Sequence, residues 1–472
     1  MNMNPLAKAV TGLVMIGLVG MPACGKKELQ QGSGPPAKRA AISTTIEELN
    51  LPDIPDEQNA ASLYREVFAL KESLMKKYRK EWKYMPLEGT VKWDEIPEEE
   101  KEKVIDLILH DPEFARMYEL LEKASGMECI FFPGEKYREN TNVALSELLT
   151  VLSDMRGCAR NLAEKAKIEA EHGDINKALY FSLIGLKLPK SLSNEALIIS
   201  QLIRIALDRI CMITLEEFVD NKEGTIELYQ SIICEIASER RGNIINCGMR
   251  RELVLFTLPS MSHTKALGEA AFELTEERKE EIEERFGKSL RDQLTEDMEK
   301  QKKVFMEAYQ KSGCESIREF FEKQEVTFLE IIPMMLSLTQ KPYWQGKEEL
   351  KIIENAIDSL PDWQLYTRMM LPNIYMYLHE NELDALMGAA ETAIANIIYK
   401  QKHGEYVDSL DQITPEILQA LPIDPFTGKN YIYKKKARGF IVYSLGENLR
   451  DDGGLRRKAR EKDYDIVWEC KG

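Results

Sequence analysis

The chain has 472 residues, more than most single hydrophobic cores contain, so its length predicts two or three domains. A hydrophobic content of 44% with 30% charged residues is typical of a folded soluble protein. Asp and Glu outnumber Lys and Arg by 79 to 63, and the net charge of −16 argues against sequence-independent nucleic-acid binding, so no nucleic-acid partner is expected.

The N-terminal segment has the pattern of an export signal. Lys8 provides one positive charge, and residues 9–21 form an apolar run that is too short to span a bilayer. Ala23 lies directly before Cys24. This arrangement resembles a bacterial lipoprotein signal, in which residues 1–23 are removed and Cys24 becomes the lipidated first residue. An ordinary cleaved signal peptide is the alternative.

The segment after Cys24 is expected to be a linker. Residues 24–45 contain Gly, Ser, Pro and Gln with few apolar side chains, which is typical of a flexible spacer. Gly25 replaces the aspartate that retains many lipoproteins at the inner membrane, so the resemblance favours the outer membrane. We therefore expect an exported protein that faces the periplasm and is anchored to the membrane through lipidated Cys24.

Residues 46–371 have a helical hydrophobic period and are predicted to form the body of the protein. Asp111 precedes Pro112 as a helix cap. A long amphipathic helix is predicted over residues 141–171 and another over residues 193–219, and Asp174 is expected to cap a buried helix between them. No repeat of about 34 residues is found, so the pattern predicts irregular, tetratricopeptide-like helical hairpins rather than a regular array.

The cysteines and histidines indicate no reactive centre. No pair of cysteines has Cys-x-x-Cys spacing, so a zinc ribbon or a thioredoxin-type site is not predicted. Most of the seven cysteines after Cys24 fall on apolar helix faces and are expected to be small buried hydrophobes, with a disulfide framework as the alternative. The seven are Cys129, Cys158, Cys211, Cys234, Cys247, Cys314 and Cys470.

Known catalytic motifs are also missing from the sequence. It contains no phosphate-binding glycine loop, no Gly-x-Ser-x-Gly elbow and no His-Glu-x-x-His motif, since His379-Glu380 has no second histidine one turn later. We therefore expect no catalytic residues, although acids and bases from distant positions can assemble into a site.

Residues 372–472 are predicted to form a small α+β module. A helix over residues 372–403 is expected to end at Gly404, and Asp424-Pro425 with Gly428 marks a tight turn. Three β-branched and aromatic segments then predict a three-stranded antiparallel sheet. They lie at residues 431–433, 440–443 and 464–468. The predicted fold class is thus mainly α, with this module at the C-terminus.

The module resembles the soluble C-terminal part of the major pseudopilin of type II secretion systems. The resemblance rests on Asp424-Pro425 before the sheet and on Tyr443-Ser444-x-Gly446 before an acidic loop. In that family the loop binds calcium through carboxylates and backbone carbonyls. The matching positions are Asp451, Asp452 and Asp465, with Glu447 and Asp463 nearby.

Two departures keep a metal-free Asp/Gly turn open as the alternative to calcium. Basic residues within 455–462 separate the acidic groups and would repel a divalent cation. No prepilin cleavage site with a membrane helix precedes the module. Calcium is the only cofactor that the resemblance implies.

The lipoprotein-like start, the helical body and the tail together resemble a group of bacterial lipoprotein-like proteins without an established activity. Our first hypothesis is a non-enzymatic, membrane-tethered binding or scaffold protein of the cell envelope, with an unidentified envelope protein as partner. The second is an accessory component of a type II secretion or pilus-like system that docks through the C-terminal module. The third is a hydrolase of envelope polymers that uses carboxylates in a groove of the body.

Overall fold

The structure is a computed structural model that describes residues 54–78, 84, 96–132, 141–219, 224–240, 243–268, 276, 279–280, 283–284, 287–456 and 464–472. The predicted signal peptide, the spacer with Cys24, the basic residues of segment 457–462 and Asp463 lie outside these residues. The signal, spacer and lipidation therefore stay predictions.

The fold is mainly helical with a small antiparallel sheet at the C-terminus, which confirms the predicted fold class. The elements are α1 Ala61–Lys77, α2 Glu98–His110, α3 Pro112–Ser125, α4 Thr141–Glu171, α5 Ile175–Lys187, α6 Ile198–Val219, α7 Ile226–Glu239, α8 Ile244–Glu252, α9 Leu258–Leu267, α10 Lys288–Ser312, α11 Ile317–Leu338, α12 Tyr343–Asp358, α13 Leu365–Met370, α14 Tyr375–His403, β1 Ile432–Lys435, β2 Phe440–Ser444 and β3 Ile466–Cys470. Within the described residues, no helix is long and apolar enough to cross a membrane.

Local sequence signals explain how several helices begin. Asp111 caps α3 as predicted, because its carboxylate accepts hydrogen bonds from the backbone N–H groups of Glu113 (2.8 Å) and Phe114 (3.3 Å). Asp174 caps α5 in the same way by accepting from the N–H of Lys177 at 3.1 Å. The long helix α4 has the predicted bounds and forms a hairpin with α5.

The start of α6 differs from the prediction. The helix was expected from residue 193 but begins at Ile198, after a 3₁₀ turn over Leu188–Leu192. The reason is a long-range contact, since the N–H of Ile198 donates to a carboxylate oxygen of Glu252 at 2.7 Å. The N–H groups of the first helical turn have no acceptor within the helix, and the Glu252 carboxylate accepts from one of them, so α6 starts at Ile198.

The hydrophobic core has two main parts. One cluster joins α1, α2 and α3 to α4 and α6, and includes Tyr64, Phe114 and Phe132. The larger cluster continues from α6 and α7 through α11, α12 and α14 into the sheet, where it ends with Trp468 and Cys470. The predicted body and the C-terminal module therefore share one continuous apolar core.

The C-terminal module packs one long helix on a sheet of order β1-β2-β3. Both strand pairs are antiparallel as predicted, with Tyr433 opposite Val442 and Val442 opposite Trp468. Gly388 on α14 permits close approach, since a Cβ at this position would lie 2.2 Å from the hydroxyl of Tyr431. Helix α14 ends at Gly404, whose φ of +87° favours glycine.

The seven cysteines of the described residues are all free thiols. The expectation of buried side chains is correct for four of the seven and wrong for the two that lie on solvent-facing sides of their helices. Four of them are buried, namely Cys129, Cys158, Cys211 and Cys470, whereas Cys234 and Cys247 are exposed on helix surfaces.

Candidate functional sites at the acidic turn and the junction cleft

The acidic turn, residues 447–454 together with Asp465, contains the sequence-predicted calcium ligands. The carboxylate of Asp451 accepts hydrogen bonds from the Tyr443 hydroxyl (2.8 Å) and the Gly453 N–H (2.9 Å). The hydrogen bond from Tyr443 and that from Gly453 hold the pKa of Asp451 below its ordinary value. Asp452 accepts from the side-chain amide of Asn448 at 2.9 Å.

Asp465 lies at the base of the acidic turn and is 1% exposed. Its Oδ2 accepts from the N–H of Gly454 at 2.7 Å, whereas its Oδ1 is buried and accepts no hydrogen bond of normal geometry from the described residues. Burial raises the pKa of Asp465, and the charges of Asp452 and Asp451 add to the rise. The structure thus brings these three carboxylates into electrostatic contact.

Glu447, which was also predicted as a possible calcium ligand, is not directed toward the other carboxylates of the acidic turn. Its side chain is exposed, while its backbone carbonyl accepts from the Tyr343 hydroxyl at 3.4 Å. No group of three or more His, Cys, Asp and Glu side chains among the described residues is arranged to hold a metal ion. The buried Oδ1 of Asp465, the Asp452 carboxylate and backbone carbonyls are the groups that fit a cation here. Calcium stays a prediction.

One of the basic residues within 455–462 is directed away from the acidic turn. Arg456 forms a two-pronged ion pair with Glu216 on α6, with one N···O distance of 2.8 Å. Glu216 also accepts from the backbone N–H of Glu469 on β3 at 2.7 Å. Because the guanidinium is engaged by α6, the sequence-based argument that Arg456 repels a cation from the turn loses force.

A second candidate site, the junction cleft, opens where the body meets the C-terminal module and has a volume of about 340 Å³. The α7–α8 turn contributes Arg240 and Asn243, and the α11–α12 turn contributes Gln340 and Lys341. Helices α12 and α14 and the loop before β1 complete the walls, with the side chains of Trp344, Glu380, Asn381, Asp384, Ile423 and Pro425.

The two bases of the junction cleft already have acidic partners outside it. Arg240 pairs with Glu391 at 3.1 Å, and Lys341 pairs with Glu349 at 2.5 Å. Asn381 is likewise engaged, because its amide oxygen accepts from the N–H of Tyr343 at 2.8 Å. These interactions hold the polar wall of the cleft in place.

The two acids of the cleft, Glu380 and Asp384, form no ion pair with a base among the described residues, although Arg204 acts electrostatically on Glu380. Glu380 accepts from the N–H of Ile245 at the start of α8 (3.3 Å), and burial raises its pKa to about 7. The carboxylate of Asp384 makes no hydrogen bond or ion pair within the described part of the chain. Burial and the nearby charge of Glu380 raise the pKa of Asp384 well above its ordinary value, although the charge of Arg240 opposes the rise.

A third acid lies behind these two, on the buried face of α6. Asp208 is fully buried, and neither of its carboxylate oxygens accepts a hydrogen bond from the described residues. Burial and the charge of Glu239 raise the pKa of Asp208 well above its ordinary value, although Arg204 opposes the rise. The charge of Asp208 in turn contributes to the raised pKa of Asp384.

The outer lip of the junction cleft is apolar. Trp344 and Ile423, which line the same cleft, are each 49% exposed. One part of the indole packs on Gly428, where an added Cβ would lie 2.8 Å from the ring. The lip therefore presents an indole held in place beside two unpaired acids.

Sequence reasoning missed this cleft, although Glu380 carried a signal. Glu380 and Asp384 are one turn apart on a helix whose neighbouring positions, such as Leu383 and Met387, are apolar, so both acids fall near its buried side.

A search of protein-family models, of curated proteins and of solved structures finds no match for the chain.

Proposed function

We propose that this protein is a membrane-tethered binding protein of the cell envelope without catalytic activity, anchored through lipidated Cys24. The observation that supports it best is the junction cleft, which combines an apolar lip with two acids that form no ion pair within the described residues. A concave site with a few convergent polar groups and perturbed pKa values is where a ligand is expected to bind.

The attachment of the C-terminal module to the body favours a binding role over assembly into a filament. Helix α14 packs against α6 and α7 on one side and against the sheet on the other. Arg209 on α6 pairs with Glu382 on α14 at 2.7 Å. An accessory role in a secretion or pilus-like system would therefore need docking through the outer surface of the module, because α14 is already covered.

The positions of the two cleft acids favour binding over polymer hydrolysis. Glycoside hydrolysis uses two carboxylates that flank the scissile bond. Glu380 and Asp384 are four residues apart on one helix, so their Cβ atoms lie about 6 Å apart on the same wall. Such a pair approaches a ligand from one side only.

The tether is tested by changing the proposed lipidation site. We expect Cys24→Ala to move the protein from the membrane fraction to the soluble periplasmic fraction, because removing the acyl chains removes the apolar surface that enters the bilayer. The matched control is Cys234→Ala, which alters an exposed thiol in the folded body. Membrane fractionation of the Cys24 variant that equals the wild type would rule out the tether.

We further propose that the acidic turn binds calcium as a structural ion. Calcium takes about six to eight oxygen ligands, which the Asp452 and Asp465 carboxylates and the backbone carbonyls of the turn would supply in part. We expect the thermal midpoint of the purified protein to rise by about 2 °C or more with saturating calcium over excess chelator.

The double change Asp451→Ala with Asp452→Ala is expected to abolish this rise. Asp362→Ala removes one exposed carboxylate at a distance in sequence, serves as the control for loss of surface charge and should leave the rise intact. A calcium effect that is equal in all variants would show that the ion binds elsewhere.

A further inference from the structure

We propose that the junction cleft binds an alkylammonium group, with Asp384 and Glu380 receiving the cationic head and Trp344 and Ile423 covering the alkyl stem. The inference rests on the proposed binding function and assigns a ligand chemistry to its site. The tether and the ligand are tested separately, by membrane fractionation and by calorimetry.

The charge balance of the cleft favours a cation. Arg240 and Lys341 form ion pairs with Glu391 and Glu349. Arg240 lowers the pKa of Asp384 without forming an ion pair with it, and no base of the described residues forms an ion pair with either cleft acid. Buried carboxylates without a cationic partner are unfavourable, and a bound ammonium would supply the missing charge. An anionic ligand would increase the imbalance.

Electrostatic repulsion among Asp384, Glu380 and Asp208 strengthens the preference for a cation. Glu380 and Asp208 both act electrostatically on Asp384 and raise its pKa. A cation placed at Asp384 would relieve repulsion among three carboxylates at once. Binding would therefore favour their ionised forms and release protons near neutral pH.

The shape of the lip indicates what kind of cation fits. A bare metal ion is not favoured, since the two acids of the cleft supply few oxygen ligands and such an ion would leave the apolar lip without a contact. The half-exposed Trp344 and Ile423 instead offer apolar contact to a hydrocarbon stem. The indole also attracts an ammonium placed over its face. An amphipathic organic cation satisfies both parts of the cleft.

Isothermal titration calorimetry of the purified protein with cadaverine tests the proposal. We expect a dissociation constant below about 1 mM at neutral pH. We also expect the binding enthalpy to depend on the ionisation enthalpy of the buffer, because protons are released. A neutral diol of the same chain length is expected to produce no measurable heat of binding. Absence of cadaverine binding, or equal binding of the diol, would overturn the proposal.

Two variants keep the test independent of folding. Asp384→Asn removes a carboxyl group whose burial is unfavourable, so the variant is expected to fold and to lose at least about tenfold in cadaverine affinity. Glu380→Gln retains an acceptor for the Ile245 N–H and should also weaken binding. Glu99→Gln, on the exposed surface of α2, is the charge-matched control and should bind like the wild type. Unchanged affinity in both cleft variants would overturn the assignment.

Discussion

Replacing Arg204 by alanine is expected to lower the free energy of unfolding by about 3–5 kcal/mol, the usual loss when one partner of a buried ion pair is removed. The Arg204 guanidinium donates to Glu239 at 2.5 Å, and the side chains are 10% and 5% exposed. Its charge also opposes the raised pKa of the buried Asp208. Without Arg204, two acids between α6 and α7 would lack their nearest compensating charge.

Urea unfolding at neutral pH measures this loss. The matched control is Arg318→Ala on α11, which removes an exposed partner of Glu322 and should change the free energy of unfolding by less than about 0.5 kcal/mol. Adding Glu239→Gln to Arg204→Ala should recover part of the stability, because one unpaired buried charge is then removed. A loss below about 1 kcal/mol in the single variant would contradict the buried-pair interpretation.

Glu380→Gln is expected to gain stability relative to the wild type as the pH rises. Burial raises the pKa of Glu380 from 4.5 to about 7, so between these values the folded protein binds more protons than the unfolded chain. The free energy of unfolding of the wild type therefore falls with rising pH in this window. The variant lacks this titration, and its advantage should grow by about 2–3 kcal/mol between about pH 5 and pH 8.

Paired urea titrations of the wild type and the variant at the two pH values isolate the contribution of Glu380 together with its electrostatic coupling to Asp384, because groups that are not coupled to Glu380 titrate equally in both proteins. Glu322→Gln, on the surface of α11, removes a carboxylate paired with Arg318 and provides the control for loss of one charge. A difference between wild type and Glu380→Gln that stays constant with pH would show that Glu380 is ionised in the folded state throughout.

The local elements of this fold could be predicted because their causes lie within a few residues. The cap at Asp111 and the end of α14 at Gly404 follow from side chains or backbone angles at the helix ends themselves. The three strands follow from short β-branched and aromatic segments, and the bounds of the observed strands shift by only one or two residues. Apolar periodicity likewise predicted the faces that enter the core.

The residues of the junction cleft could not be assembled from the sequence, since their environment is made by distant elements. In the sequence, Glu380 was considered only because His379-Glu380 resembles the start of a metalloprotease motif, which the chain does not complete. In the fold, Glu380 accepts a hydrogen bond from the first turn of α8. Glu252 likewise accepts a hydrogen bond from the first N–H of α6. The helix therefore begins at Ile198 and not at the predicted residue 193. The apolar neighbours of Glu380 in α14 indicate that it is buried, but they do not indicate which helix it caps.

By itself, the sequence determined the mainly helical class and the C-terminal sheet, because periodicity, capping and turn chemistry act over short separations. Only the tertiary structure decided that Arg456 pairs with Glu216, a residue 240 positions earlier, and that Asp208 and Asp384 interact across the α6–α14 contact. Burial and charge pairing depend on every element packed around a group, so the chain must fold before its acids acquire the pKa values and the partners that distinguish a site from a surface.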